Sequence, residues 1–224
     1  MKRIALSWSG GKDACLALDR LTSQGYEVAF LVTTVPSHEG KTFAHEEKVE
    51  FIQLQGEALG IPVRFVESEF KHYTERFVGA LADLKEKERI EGIAFGDLYL
   101  QEHRDWGERV AEIAGLVPLY PLWMPKSQVK AALDELIESG YKAMVIKANE
   151  EKLDLSWLGR VIDVEFSRNI GKLEICPLGE SGEYHTFVMD GPLFRKRIEV
   201  ETGNVISHGN EKRLELTSGC LVHK

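Results

Sequence analysis

The segment Ser7-Trp8-Ser9-Gly10-Gly11-Lys12-Asp13 holds the residue types that could do chemistry on an anion. Two adjacent glycines let a backbone turn tightly and bring its N–H groups close to a ligand. A helix beginning just after the turn adds its positive N-terminal end. Ser9 supplies a hydroxyl and Lys12 a point charge. The segment is not a Walker A loop: Leu6 stands where that pattern needs glycine, and Asp13 follows the lysine instead of Ser or Thr. It is not a GxGxxG dinucleotide turn either. The plain alternative is a tight strand–helix turn with a solvated lysine. The combination of Ser, Gly, Gly, Lys and Asp favours anion binding.

These residues need a scaffold to position them. Short, nearly continuous apolar runs at 3–8, 28–35, 63–66, 93–95, 117–120 and 143–146 suit parallel strands covered on both faces. Helix-period patterns lie between them. Ala14, Ala17, Leu18 and Leu21 fall at i, i+3, i+4 and i+7; Val129, Ala132, Leu133, Leu136 and Ile137 repeat the spacing; Trp106, Val110, Ile113 and Ala114 form a third stripe. Gly25, Gly60 and Gly140 stand where helices should stop. The alternation predicts an α/β fold, a doubly wound parallel sheet with right-handed crossovers. Beyond about residue 150 the pattern changes. A short helix is expected over 155–163, strands over 174–177 and 184–189, and a meander over 197–205 and 214–222 with turns at 202–204 and 208–210. We therefore expect a nucleotide-binding domain over 1–150 and a smaller C-terminal α+β substrate lobe over 151–224.

Composition narrows the function classes. Hydrophobic residues at 43% and charged residues at 29% are ordinary for a globular protein with a real core. No apolar run reaches the roughly 18 residues a membrane span needs, and the polar-ended N-terminus does not read as a signal peptide. Three cysteines without a CxxC pair argue against a disulfide framework and a Cys-rich zinc site, which makes a reducing cytoplasmic setting the expectation. A formal charge of −8 argues against broad nucleic-acid binding. A homodimer is left open.

The SGGKD segment after the first strand resembles the pyrophosphate loop of the N-type ATP pyrophosphatase (PP-loop) superfamily. That superfamily's pattern usually ends in Ser, where this chain has Ala14. Two further stretches resemble the diphthine–ammonia ligase family over nearly the whole chain. The first is Gly96-Asp97 followed by Gln101, Arg104, Glu108 and Arg109, then Leu116, Pro118, Pro121, Leu122 and Trp123. The second runs Glu180-Ser181-Gly182-Glu183-Tyr184-His185-Thr186-Phe187 and continues to Asp190-Gly191-Pro192-Leu193-Phe194.

The resemblance implies an adenine nucleotide α-hydrolase-like fold and an ATP-dependent amide ligase. Such an enzyme would adenylate a carboxylate, release pyrophosphate and join ammonia to the acyl group. The implied cofactors are ATP and Mg²⁺, and the implied acceptor is diphthine on elongation factor 2. The same adenylation on a small carboxylate metabolite, or a PP-loop RNA-modifying enzyme, stays open as an alternative. Ser9, Gly10, Gly11 and Lys12 are expected at the pyrophosphate, with Gly96 and Arg104 nearby. Asp13 is expected at the metal or bracing the loop. Asp97 is a second metal or phosphate-site residue, or else a helix N-cap. Lys12, Asp97 and Glu183 are the expected catalytic residues; Glu180, Tyr184 and His185 are expected at the acceptor. Glu183 and His185, two apart on a strand, share a face and could instead pair. In the 36–42 loop and beyond, expected near the adenine, His38 and His45 lack a metal-ligand spacing. Cys15, one turn into the first helix, is expected to be a packed thiol.

Overall fold

The computed structural model describes residues 2–37, 40, 42 and 48–224. Strands β1 (Arg3–Ser7), β2 (Glu27–Pro36), β3 (Val63–Ser68), β4 (Gly92–Ala94) and β5 (Val117–Leu119) form one parallel sheet in the order β3-β2-β1-β4-β5. Alternation along β1 separates the two faces. Ile4 and Leu6 pack with helices α1 (Lys12–Ser23) and α2 (Val49–Leu59), while Ala5 packs with α3 (Tyr73–Glu88) and α4 (Gln101–Ala114) through Phe77, Leu81 and Val110. Helices thus cover both faces, which is the doubly wound arrangement. β1 is flanked by β2 on one side and β4 on the other, so chain order reverses there. The crevice beyond the carboxyl ends of β1 and β4 is where ligands bind in open sheets of this kind.

The run at 143–146 departs from expectation. It belongs to β6 (Lys142–Asn149), which follows α5 (Val129–Glu138) and lies inside a second, antiparallel sheet. That sheet has the order β7-β6-β9-β8, with β7 at Tyr184–Asp190, β8 at Lys196–His208 and β9 at Glu211–His223. A run buried on both faces reports its burial and not the direction of its neighbours, so the apolar pattern could not separate the two sheets. Part of the segment before residue 150 therefore belongs structurally with the lobe.

Three local expectations are also corrected. Over 155–163 only Leu155–Trp157 is helical, as a single 3-10 turn capped by Asp154. The next helix, α6 (Val164–Ile170), starts after Asp163, whose carboxylate accepts the Phe166 N–H at 2.7 Å. The 174–177 run is irregular, because its apolar residues wall a cavity and do not pair with a strand. Residues 202–204 make no turn: β8 passes through them with slips in register, and the chain reverses at Gly209, whose φ is 58°.

The two sheets are locked together around the first strand–helix turn. The Val188 N–H of β7 donates to the Gly10 carbonyl at 3.0 Å, and the Arg195 N–H donates to Ala58 of α2 at 2.7 Å. Phe51 of α2 meets Phe187 of β7 edge to face at 5.7 Å. Among the described residues no helix is long and apolar enough to cross a membrane.

Candidate active site

The turn between β1 and α1 is shaped by close approach. Gly10 has φ of 79°, and a Cβ there would stand 2.6 Å from Gln55 Oε1 and 2.8 Å from Ile52 Cδ1. Only glycine fits this position without strain. Gln55, fully buried on α2, ties the turn to both sheets. Its Nε2 donates to the Gly10 and Val188 carbonyls at 2.8 Å each, and its Oε1 accepts from Trp8 Nε1 at 3.0 Å. Gln55→Leu leaves the Trp8 indole N–H and the Val188 carbonyl without this partner in a dry environment. At about 1–3 kcal/mol for each orphaned buried group, we expect a loss of about 2–6 kcal/mol, read as a lowered urea midpoint. A midpoint equal to that of the parent protein would mean the amide contributes nothing.

Lys12 opens α1 and is almost completely buried. Its backbone N–H donates to Thr186 Oγ1 at 3.0 Å, its Nζ donates to Asp13 Oδ2 at 2.9 Å, and the ammonium lies 4.6 Å from the Tyr184 ring centroid. The Asp13 carboxyl is pushed up in pKa, first by burial; the adjacent Lys12 opposes that shift and Asp97 adds to it. The other carboxylate oxygen, Oδ1, is buried with no hydrogen-bond partner among the described residues. A cation or a ligand donor would satisfy it.

Ser9, Lys12, Asp13, Gly96, Asp97, Glu180, Tyr184 and His185 all line one cavity of about 300 Å³ at the switch point. Gly10 and Gly11 are buried in the turn between Ser9 and Lys12 and do not themselves line the cavity. Gly96 lets the end of β4 approach α1: a Cβ there would meet the Asp13 carbonyl at 3.4 Å. Asp97 is not a helix cap, since Leu100 precedes the first residue of α4. Its Oδ1 accepts from His103 Nδ1 at 3.0 Å, and this hydrogen bond is the main reason the His103 pKa is raised. Glu180 reaches the cavity from the loop before β7, and its carboxylate accepts the Leu98 N–H at 2.9 Å. Burial pushes its pKa up to about 7, the Leu98 hydrogen bond opposes this, and the charges of Asp13 and Asp97 add to it.

Two expected residues lie elsewhere. Arg104 pairs with Glu108 at 2.7 Å and stacks over Trp123 and Tyr120, with its guanidinium carbon 4.8 and 5.3 Å from their centroids. Glu183 is buried behind the loop. It accepts the Ser181 N–H at 2.9 Å and the Cys176 N–H at 3.3 Å, with Lys152 Nζ 3.9 Å away, and it lines a second cavity of about 370 Å³. Glu183 and His185 therefore line different cavities. Cys15 is fully buried, and burial raises its thiol pKa well above the ordinary value, so it is an inert packed thiol. His38 and His45 lie outside the described residues.

Sequence reasoning did not single out His103, Gln55, or the cavity residues Thr33, Thr34, Thr42 and Tyr73. For His103 a signal existed, since it stands in the first turn of the helix that follows Asp97. The Thr33 hydroxyl donates to the Trp8 carbonyl at 2.8 Å, and that of Thr34 to Tyr73 Oη at 3.2 Å, which hold the end of β2 against the cavity.

Comparison with known proteins identifies the family. The model described as the diphthamide synthase N-terminal domain matches residues 1–118, and that of the diphthamide synthase C-terminal domain matches 128–222. The human diphthine–ammonia ligase is 31% identical over 92% of this chain and 85% of its own length. The rat enzyme of that name is 31% identical with the same coverage, and the zebrafish one 26% identical over 91% of this chain and 88% of its own. The matches span the Ser9–Asp13 turn, the Gly96-Asp97 corner and the Glu180–Phe187 segment together, and the chain belongs to the diphthine–ammonia ligase family of diphthamide synthases.

Proposed function

We propose that this chain uses ATP and ammonia to convert the carboxylate of diphthine on elongation factor 2 into an amide, through an acyl-adenylate. The observation that carries the reading is the buried Lys12 ammonium, with Ser9 of the same turn, on the wall of a cavity shared with Asp13, Asp97, Glu180 and His185. A carboxylate is a poor acyl donor because oxide is a poor leaving group. In the first step its oxygen attacks the α phosphorus, a new P–O bond forms, and the bond to the β-phosphate oxygen breaks to release pyrophosphate. In the second step ammonia adds to the acyl carbon, the C–O bond to AMP breaks, and a proton leaves the nitrogen.

The catalytic demands are position and charge. Lys12 and the first N–H groups of α1 face the leaving pyrophosphate. The end of β2, with Thr33 and Thr34, takes the nucleoside side of the cavity. The corner that holds Asp13 and Asp97 fits a divalent cation such as Mg²⁺ or Mn²⁺, because the buried Asp13 Oδ1 has no partner among the described residues; such an ion would offset phosphate charge. Tyr184 orients the acceptor. His185 takes the proton from the incoming nitrogen, since imidazole is the side chain whose charge changes near neutral pH. Glu183 acts one step back: by accepting two backbone N–H groups it fixes the loop that presents Glu180.

Incubating the chain with ATP, ammonium and an elongation factor carrying diphthine is expected to give AMP, pyrophosphate and amidated factor together. ADP and phosphate as products would overturn the adenylation step. Turnover with a small carboxylate but none with the factor would reassign the acceptor.

A further inference from the structure

Besides the phosphate-binding turn, the cavity contains a convergence of metal-ligand donors from three separate elements. Asp97 comes from the corner after β4, His103 from the first turn of α4 and Glu180 from the loop before β7. One donor atom from each lies within 4.8 Å of the others. We propose that Asp97, His103 and Glu180 form a divalent-cation site that loads before the nucleotide and accepts Mn²⁺ more tightly than Mg²⁺. The proposal gives the cation of the ATP site its ligands, and its catalytic meaning rests on the reading of that cavity as an ATP site.

Four observations carry it. The His103 Nδ1 to Asp97 Oδ1 separation of 3.0 Å matches adjacent corners of a coordination octahedron, whose edge is about 3.0 Å for bonds of roughly 2.1 Å. Glu180 is already oriented by the Leu98 N–H, and one of its donor oxygens lies within 4.8 Å of those of Asp97 and His103. In the same cavity, Asp13 presents a buried oxygen with no hydrogen-bond partner among the described residues, while its other oxygen is held by Lys12. Three carboxylates, Asp13, Asp97 and Glu180, therefore act on one another at this corner, and the Lys12 ammonium is already committed to one of them. A divalent cation resolves that charge imbalance.

The imidazole sets the metal preference. Mg²⁺ favours oxygen donors, keeps its waters and is usually held by one or two carboxylates. A mixed imidazole–carboxylate set suits the first-row transition ions better. Mn²⁺ tolerates both donor types and can be followed directly by its paramagnetism.

The test titrates Mn²⁺ into the full-length, nucleotide-free protein and reads the free-ion signal by electron paramagnetic resonance. We expect saturable binding of a single ion, weakened at least about tenfold by His103→Ala and by Glu180→Gln, and poor displacement by equal Mg²⁺. His103 is half exposed, so its replacement leaves the core intact. An undiminished free-ion signal in the parent protein, equal affinity in both variants, or binding only after ATP is added would each overturn the proposal. ATP binding in chelator is scored separately. Its loss beside intact Mn²⁺ binding would remove the nucleotide reading and leave the metal site standing.

Discussion

Lys12→Ala should abolish acceptor-dependent pyrophosphate release, with turnover falling by about 10²–10³-fold. That is the usual cost of deleting one preorganised partner of developing charge in a water-poor site. The ammonium is buried, within hydrogen-bonding reach of Asp13 and stacked on Tyr184. It therefore needs little reorganisation to meet a phosphate. Its removal also leaves Asp13 without its counter-charge, so the variant should lose some stability. A thermal melt separates the two effects, because a folded variant without turnover has lost chemistry and not structure. Lys12→Arg should not rescue, because a larger planar cation cannot occupy the space between Asp13 and the Tyr184 ring. A folded alanine variant that releases pyrophosphate at the parental rate would strip the turn of its role.

His185→Ala should divide the reaction in two. Amide formation with ammonium is expected to fall about 10²–10⁴-fold, the range for loss of a positioned proton acceptor. Acceptor-dependent exchange of labelled pyrophosphate into ATP should continue, because the adenylation half does not need that proton transfer. Ammonium retains its proton at neutral pH, whereas hydroxylamine is largely unprotonated there. Hydroxylamine should therefore rescue the variant by forming the hydroxamate. A purely structural histidine would lower both halves together and show no rescue. His185 belongs to β7 and lines the same cavity as Lys12, which is where we propose the second step takes place.

The parts legible in the sequence share a physical cause. The strands at 3–8 and 28–35 announced themselves as continuous apolar runs because both faces of a parallel sheet are covered. The first turn was legible because close backbone approach demands glycine, and Gly10 indeed sits within 3 Å of two α2 side chains if given a Cβ. Helix stops at Gly25, Gly60 and Gly140 were legible because each has φ above zero.

What stayed hidden depended on partners distant in the chain. Glu180 meets the Leu98 N–H across 82 residues, and Gln55 meets Val188 across 133. Neither pairing leaves a local pattern. A glutamine on an apolar helix face reads as a mild packing defect, yet here it joins two sheets. Glu183 stood out through its place in the family segment, but a register of two residues along β7 cannot tell which side of the preceding loop a carboxylate takes. The structure puts it against the Ser181 and Cys176 amides, on the opposite side from Lys12. Strand 143–146 was legible as a strand and not as a member of a sheet, because burial alone does not encode the partner.

Following an oxygen atom tests the central claim most directly. With the acceptor carboxylate labelled with ¹⁸O, attack on the α phosphorus leaves a labelled oxygen in AMP after ammonia displaces it. Mass spectrometry of the nucleotide should find that label in AMP and none in pyrophosphate. Label recovered in inorganic phosphate, with unlabelled nucleotide, would mean the carboxylate attacks the terminal phosphate and would contradict the account.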